Sequence, residues 1–300
     1  MSAPRHAALP LAAVAVTLLF WSSAFVAIRH LGHTFSPGAL ALGRLVIGSI
    51  ALGVVLAMRG GRMPHRRDWP GLITIGLLWF GLYNVALNAG ELRVDAGTAA
   101  MLIQLSPVLV AVLAAVFLKE RATLALGVGL LVAFAGVVLI ATSTSDHGDR
   151  DPLGVVLCLV SAAAYAVSLI LQKPLVSRLS AVEVTWIACT VGAVACLPFA
   201  GDLVRQTADA GVADIGWVVF LGVFPTAIAF STYAYALKHM SAGNLSVTTY
   251  LVPPITVGLS WLFLSEVPPS MAYVGGGLCL AGVALARRKP RARLREEVLA

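Results

Sequence analysis

The chain has 300 residues, of which 59% are hydrophobic and 12% are charged, and its formal net charge is +7. Ordinary soluble domains carry about 25% charged residues, so this composition, with a mean hydropathy of +0.91, excludes a soluble fold. The positive charge comes from short loops and a tail, a distribution that does not indicate nucleic-acid binding.

A helix that crosses a bilayer needs roughly 20 predominantly apolar residues. Ten stretches meet this need, and they predict an all-α integral membrane protein with no room for an extramembrane domain. In chain order they lie at about 9–28, 37–57, 70–90, 96–118, 123–142, 153–172, 183–200, 214–237, 242–264 and 270–286. The first stretch follows Arg5 and His6 and could also be a cleaved signal peptide, but its length and the charge pattern favour a retained span.

The distribution of Lys and Arg among the loops predicts the orientation, because these residues concentrate on the cytoplasmic side of a membrane. With the amino terminus inside, the opposite side carries only Arg29, Arg93, Arg150 and Arg205. We therefore expect ten spans with both termini in the cytoplasm. The basic tail is interpreted as an orientation signal, with a site for anionic lipid or a protein partner as the alternative.

The sequence matches itself after a shift of 146 residues. The clearest matches are Ala96 with Ala242, Gly97 with Gly243, Pro107 with Pro253, Glu120 with Glu266 and Gly129 with Gly275. Each copy holds five spans, an odd number, so the second copy enters the membrane from the opposite side, as in the inverted repeats of transporters. We place the first repeat at 1–145, the second at 146–288 and a basic cytoplasmic tail at 289–300, and we expect a substrate site between the repeats near the midplane.

Polar and aromatic residues at midplane depth suit a small amphipathic solute. Amide and hydroxyl groups can bond its carboxylate and ammonium, and rings can cover its apolar part. In chain order the candidate substrate contacts are Trp21, Ser22, Arg44, Tyr83, Asn84, Gln104, Tyr165, Thr248 and Tyr250. For the aromatic residues, anchoring at the membrane interface is the alternative.

Arg44 is the one clearly intramembrane charge. It lies eight residues past Ser36, which is about 12 Å into its helix at a rise of about 1.5 Å per residue. An arginine at the bilayer centre costs roughly 2.5–3.5 kcal/mol on insertion scales. Arg44 is therefore expected to hold helices together or to meet an anionic substrate group, with snorkelling to the outer headgroups as the alternative.

Pro107, Pro253 and Pro254 interrupt the fourth and ninth spans near their middle. Proline lacks a backbone donor and clashes with the preceding turn, and irregular backbone within a membrane is tolerated where it is buried in protein or lines a wet cavity. We predict that these prolines are hinges beside a central cavity, with packing kinks as the alternative. Glu120 and Glu266 are predicted to bond backbone at helix ends, with gating or proton transfer as the alternative.

Four cysteines, Cys158, Cys189, Cys196 and Cys279, all fall inside predicted spans. No two of them have metal-ligand spacing, and unpaired cysteine packs as a small hydrophobic residue. We therefore predict buried thiols, no metal site and no cofactor.

The ten spans, the repeat, the segment WSSAFVAIR, Arg44 and the paired P…FLKE and P…FLSE segments resemble the EamA-type drug/metabolite transporter superfamily. The resemblance implies a basket of ten helices whose central cavity is lined by spans one, three, four, six, eight and nine. It also implies a carrier of the bacterial inner membrane. Many characterised members export amino acids or related metabolites, and others move drugs or nucleotide sugars.

We therefore expect a secondary transporter, and not an enzyme, that exports small metabolites such as amino acids by alternating access. No GxxxxGK[ST] phosphate loop occurs, so ATP is not the expected energy source. The expected partners are a small-molecule substrate and the lipid bilayer. The alternatives are a multidrug or other metabolite carrier of the same fold and, in another class, a membrane-embedded lipid-modifying enzyme.

Overall fold

A computed structural model describes residues 5–61, 63–93, 102–121, 123–144, 151–264 and 270–287, and the regular structure in these ranges is helical. Helices suit an apolar chain, since they satisfy the backbone hydrogen bonds internally, as hydrocarbon surroundings require. Glu266, the first residues of the predicted fourth span and the basic tail lie outside the described residues.

The described helices follow the order of the predicted spans. In the first half of the chain they are α1 (Arg5–Leu31), α2 (Pro37–Arg59), α3 (Arg66–Glu91), α4 (Ser106–Phe117) and α5 (Leu124–Thr144). In the second half they are α6 (Pro152–Leu175), α7 (Ala181–Ala195), α8 (Val212–His239), α9 (242–264) and α10 (Ser270–Ala286). A continuation of α7, Leu197–Asp209, bends away from it by 54°.

Five helices in the described ranges, namely α1, α2, α3, α6 and α8, are long and apolar enough to cross a membrane. A sixth is obtained when α7 and its bent continuation are taken as one span. The stretches Ser106–Phe117, Leu124–Ile140 and Ser270–Ala286 are apolar but shorter. The chain is a multi-pass membrane protein, and the number of ten spans stays a prediction.

The repeat seen in the sequence recurs in the irregularities of the helices. Within α3, residues Gly76–Leu82 form a π-helical segment, and within α8 the same occurs at Gly222–Ile228, 146 positions later. Helices α1 and α6 end at Leu31 and Leu175, and helices α2 and α7 begin at Pro37 and Ala181, so that both pairs are 144 positions apart. The second repeat therefore has two extra residues between its second and third helices.

The same contact occurs twice between the two halves, each time with the roles of the halves exchanged. Gly76 in α3 packs so closely on α7 that an added Cβ would lie 2.7 Å from the Ala188 carbonyl oxygen. In the other half, a Cβ on Gly222 in α8 would lie 3.0 Å from the carbonyl oxygen of Arg44 in α2. Gly222 is the equivalent of Gly76, and Ala188 is the equivalent of Arg44 at a shift of 144. Such an exchange of equivalent partners is typical of a two-fold relation.

Polar contacts at the two faces obey the same relation. At the face where α2 ends, Arg178 donates to Asp68 across 2.7 Å. At the opposite face, the Thr34 hydroxyl donates to Asp214 across 3.1 Å. Asp68 and Asp214 are 146 positions apart, and Thr34 and Arg178 are 144 apart. Each repeat thus fastens the start of its third helix to a loop of the other repeat.

Helices α5 and α10 cross at glycines, so that their backbones touch. An added Cβ on Gly282 would lie 2.6 Å from the Gly129 carbonyl oxygen, with the Ala133 amide also in the way. Close backbone approach at small residues is how helices associate in membranes, where lipid is as apolar as the side chains. The sulfur of Cys279 also reaches the Ala133 carbonyl oxygen at 3.5 Å.

Replacing Gly282 with alanine is expected to destabilise the protein by about 1–3 kcal/mol, the usual cost of overpacking. The new methyl group meets backbone atoms that cannot rotate away. Thermal melting in detergent micelles measures the effect. Gly277→Ala is the matched control in α10, since no atom lies within 4 Å of its added Cβ. Equal melting temperatures for the two variants would contradict the prediction.

The prolines stand at helix starts rather than in the middle of continuous helices. Pro107 is the second residue of α4. In α9 the chain runs as a helix to Ser246, as a 3₁₀ turn over Val247–Leu251, and as an α-helix again from Val252, with Pro253 next. Proline is tolerated in a first helical turn because its missing N–H has no partner there. The interruptions predicted for spans four and nine are present, and a hinge role stays a prediction.

The predicted burial of the four cysteines is confirmed, since each is a free, buried thiol. The predicted structural role of Glu120 is supported by its carboxylate oxygens, which accept from the backbone N–H groups of Ala242 at 2.8 Å and Gly243 at 3.2 Å. These groups open α9, where a negative charge also complements the helix dipole.

Candidate functional site

A cavity of about 720 Å³, including its open mouth, lies between helices of both repeats. It occupies the half of the molecule toward the face where α1 and α3 end. The described residues that line it are Trp21, Ala24, Phe25, Ile28, Arg44, Trp79, Tyr83, Asn84, Leu87, Ile103, Gln104, Ser106, Tyr165, Phe230, Thr249 and Val252. Spans one, three, four, six, eight and nine contribute as the family resemblance implies, and α2 adds Arg44.

Packed aromatic rings close the cavity toward the other face of the molecule. This aromatic floor consists of Trp21, Trp79, Tyr165, Phe230 and Tyr233, with ring centroids 4.9 Å apart for Trp79 and Tyr165 and 4.8 Å apart for Trp21 and Tyr233. The hydroxyl groups of Tyr165 and Tyr233 share a hydrogen bond of 2.5 Å. Edge-to-face and tilted pairs of this kind add to the stabilisation from burial alone. The floor separates the cavity from the opposite face.

Arg44 places a buried cation in the cavity wall. Its residue exposure is 6%, so it does not extend to the headgroups. Its Nε donates to the Thr226 hydroxyl at 3.0 Å, and that hydroxyl donates to the Leu221 carbonyl oxygen at 2.8 Å. Glu91, at the end of α3, adds a Coulomb attraction. No acidic side chain in the described ranges forms an ion pair with Arg44, so its two terminal nitrogens are left for a ligand.

Two side-chain amides in the wall have their NH₂ groups bound to backbone. Asn84 donates to the carbonyl oxygens of Trp79 at 3.2 Å and Phe80 at 2.8 Å, next to the π-helical segment of α3. Gln104 donates to the Thr249 carbonyl oxygen at 2.9 Å. That carbonyl lies four residues before Pro253, which has no N–H to offer it. Each amide therefore keeps its own carbonyl oxygen as an acceptor for a solute.

Six of the nine predicted contacts line the cavity, namely Trp21, Arg44, Tyr83, Asn84, Gln104 and Tyr165. The other three predicted contacts, Ser22, Thr248 and Tyr250, do not line this cavity, and a substrate contact for them stays a prediction. The hydroxyl of Ser22 donates to the Val252 carbonyl oxygen at 3.3 Å, and that of Thr248 to the Leu245 carbonyl oxygen at 2.6 Å. Tyr250 packs against Phe134 in a separate apolar cluster with α5 and α10.

Thr248, Thr249 and Tyr250 differ because they are consecutive residues of one helical turn in α9. Successive residues of a 3₁₀ turn point about a third of a turn apart, so only Thr249 among these three polar residues points into the cavity. Ten of the sixteen lining residues were not among the predicted contacts, Phe230 being one of them, and neither was the Arg44 partner Thr226. Phe230 is the counterpart of Asn84 at a shift of 146, so the repeat could have identified it.

A largely apolar cavity that holds a buried arginine and two side-chain amides between two related helical halves is typical of a membrane transporter. The chain belongs to the EamA-like transporter family, whose model matches residues 9–142 and 152–288. A model of solute carrier family 35 also matches residues 96–200.

Relatives cover almost the whole chain. The probable terminal-alkyne amino-acid exporter of Streptantibioticus cattleyicolor is 38% identical over 284 residues, which is 95% of both chains. The uncharacterized transporter YdfC of Bacillus subtilis is 29% identical and covers 88% of this chain and 86% of its own. A solved crystal structure with 21% identity superposes with a TM-score of 0.75 over 94% of this chain and 96% of its own, which shows the fold alone.

Proposed function

We propose that this chain is a secondary transporter of the bacterial inner membrane that exports small amino acids by alternating access, with both termini in the cytoplasm. The observation that carries the proposal is Arg44, a buried guanidinium in the cavity wall that forms no ion pair in the described part of the chain, where Glu91 attracts it without direct contact. Burying an unpaired charge is costly, and a bound carboxylate would compensate for that cost.

The rest of the wall suits the other parts of an amino acid. The carbonyl oxygens of Asn84 and Gln104 can accept from an ammonium group, and the Tyr83 ring lies in the same wall. The rings of Trp79 and Phe230 present an apolar surface for a hydrophobic side chain. The printed name of the Streptantibioticus relative, an amino-acid exporter, supports the same class of solute. A zwitterion with a short apolar side chain fits these groups best.

Counterflow into liposomes tests the proposal. Purified protein is reconstituted, the liposomes are loaded with an unlabelled amino acid, and uptake of the labelled one is followed with and without a pH gradient. We expect apolar amino acids to exchange and their primary amides, which lack the carboxylate, to compete about 10- to 100-fold less well, because a hydrogen-bonded charge pair contributes about 1.5–3 kcal/mol. Absence of counterflow for every amino acid, or equal competition by amides, would refute the substrate assignment.

A further inference from the structure

We infer that Ser168 and Gln172 of α6 are solute-facing residues of a second half-cavity, closed in this structure, that opens to the face where α6 ends. The inference rests on the alternating-access part of the proposed function. It assigns a role to two polar side chains outside the cavity described above.

The first support is the repeat relation. Four residues of α1 line the open cavity, and each has a counterpart in α6 at a shift of 144. The pairs are Trp21 with Tyr165, Ala24 with Ser168, Phe25 with Leu169 and Ile28 with Gln172, so two of the counterparts, Ser168 and Gln172, are polar where α1 is apolar. In an inverted repeat, exchanging the conformations of the two halves moves the opening to the other face. The counterparts in α6 then line the new opening.

The position of the cavity agrees with this relation. For four pairs of equivalent residues, both residues of the pair line the cavity. These pairs are Trp21 with Tyr165, Asn84 with Phe230, Ile103 with Thr249 and Ser106 with Val252. These residues therefore lie around the pseudo-two-fold axis at the inner end of the cavity. Ala24 and Ile28 lie farther toward the mouth and have counterparts only on the closed side.

The second support is the chemistry of the closed side. Ser168 is 0% exposed and Gln172 is 1% exposed. The Ser168 hydroxyl and the Gln172 carbonyl oxygen have no hydrogen-bond partner in the described part of the chain. Buried polar atoms without partners are uncommon and call for an explanation. A wall that meets water and solute in another conformation supplies the missing partners there.

Both residues lie on one face of α6, between the aromatic floor and the end of the helix. Tyr165, Ser168 and Gln172 follow one another at spacings of three and four residues, which places them in one row. Beyond them, Lys173 donates to the carbonyl oxygens of Leu237 at 2.6 Å and Met240. These bonds hold the end of α8 over the row. The contact has to open for a solute to pass.

Cysteine accessibility tests the inference in the full-length protein. Ser168→Cys and Gln172→Cys are reacted with a charged, membrane-impermeant thiol reagent from either side of oriented membrane vesicles. We expect both to react only from the face where α6 ends. Their rates should be about 10- to 1,000-fold below that of Ala24→Cys from the other face, because a minor conformation is populated at about 0.1–10%.

Val167→Cys is the matched control, since Val167 is 38% exposed on the outer surface of the same helix. A side chain that faces lipid does not react with a charged reagent, so this variant should stay at the background of the parent protein, whose own cysteines are buried. If Ser168→Cys and Gln172→Cys also stay at background, or react from the open face alone, the inference is overturned.

A second measurement uses the unmodified chain and therefore still tests the inference if the cysteine variants fail to insert into the membrane. In the unmodified chain in lipid nanodiscs, backbone amides over residues 168–175 should exchange deuterium faster than those over residues 272–283 of α10, and equal protection would overturn the inference. Labelling does not depend on which solute is carried. Labelled Ser168→Cys without amino-acid counterflow therefore refutes only the substrate, whereas counterflow without labelling refutes the second half-cavity.

Discussion

Arg44→Gln is expected to lower the apparent affinity for a transported amino acid by about 10- to 100-fold, because hydrogen bonds to a charged group contribute about 1.5–3 kcal/mol. The melting temperature should not fall with it. The guanidinium is buried with a single described side-chain partner, Thr226, and replacing a buried, incompletely paired charge by a neutral group is often neutral or stabilising. A loss of transport without a loss of stability would separate a binding role from a structural one.

Counterflow kinetics and thermal melting of the same preparations measure the two effects. Arg44→Lys keeps the charge but loses the planar fork that binds a carboxylate at two points, so we expect an intermediate affinity. Arg205→Gln removes a guanidinium that is 76% exposed and lies outside the cavity, and it should leave transport unchanged.

The amide analogue provides an internal check on the Arg44 prediction. If the guanidinium binds the solute carboxylate, Arg44→Gln should strongly lower the apparent affinity for the amino acid and hardly change the affinity for its primary amide. The protein should then no longer discriminate between the two solutes. Equal losses for both solutes would show that Arg44 acts on the helices rather than on the carboxylate. Thr226→Val, which removes the described partner of Arg44, should then reproduce the defect.

The course of the helices was predictable because lipid imposes a simple rule on sequence. Long apolar stretches must be helical, and a proline that removes an N–H must stand where a helix can be interrupted. The interruptions before Pro107 and Pro253 therefore follow from sequence. The two π-helical segments were not predicted, because no residue pattern indicates a π-helix as such, but they lie 146 positions apart, in agreement with the self-match.

The direction of individual side chains was less predictable. Helices such as α9 are apolar almost all round, so no hydrophobic stripe fixes which face is buried. Thr248, Thr249 and Tyr250 are all polar in sequence, and the orientation of the helix about its own axis, which the sequence does not specify, decides that Thr249 alone lines the cavity. The partner of Arg44 depends on the π-helical segment of α8, which turns Thr226 toward α2.

Glu120→Ala is expected to destabilise the protein by about 2–4 kcal/mol, because each of its two hydrogen bonds joins a charged acceptor to a backbone donor. Without the carboxylate, the amides that open α9 lose their partner at the start of a helix, where nothing within the helix can replace it. Glu120→Gln keeps a neutral hydrogen-bond acceptor and should therefore destabilise the protein less. Asp209→Ala, which removes an exposed acid, is the control.

The loss of stability in Glu120→Ala should affect mainly the conformation described here. Its two bonds and those of Lys173 hold the turn between α8 and α9 from both sides, across the face that is closed in this structure. An opening at that face breaks these bonds, so removing them costs the closed state more than the open one. Thermal melting of Glu120→Ala should therefore show the stability loss, and labelling of Ser168→Cys in the same background should become faster. A melting temperature equal to that of Asp209→Ala, or unchanged labelling, would show that the turn is not held there by Glu120.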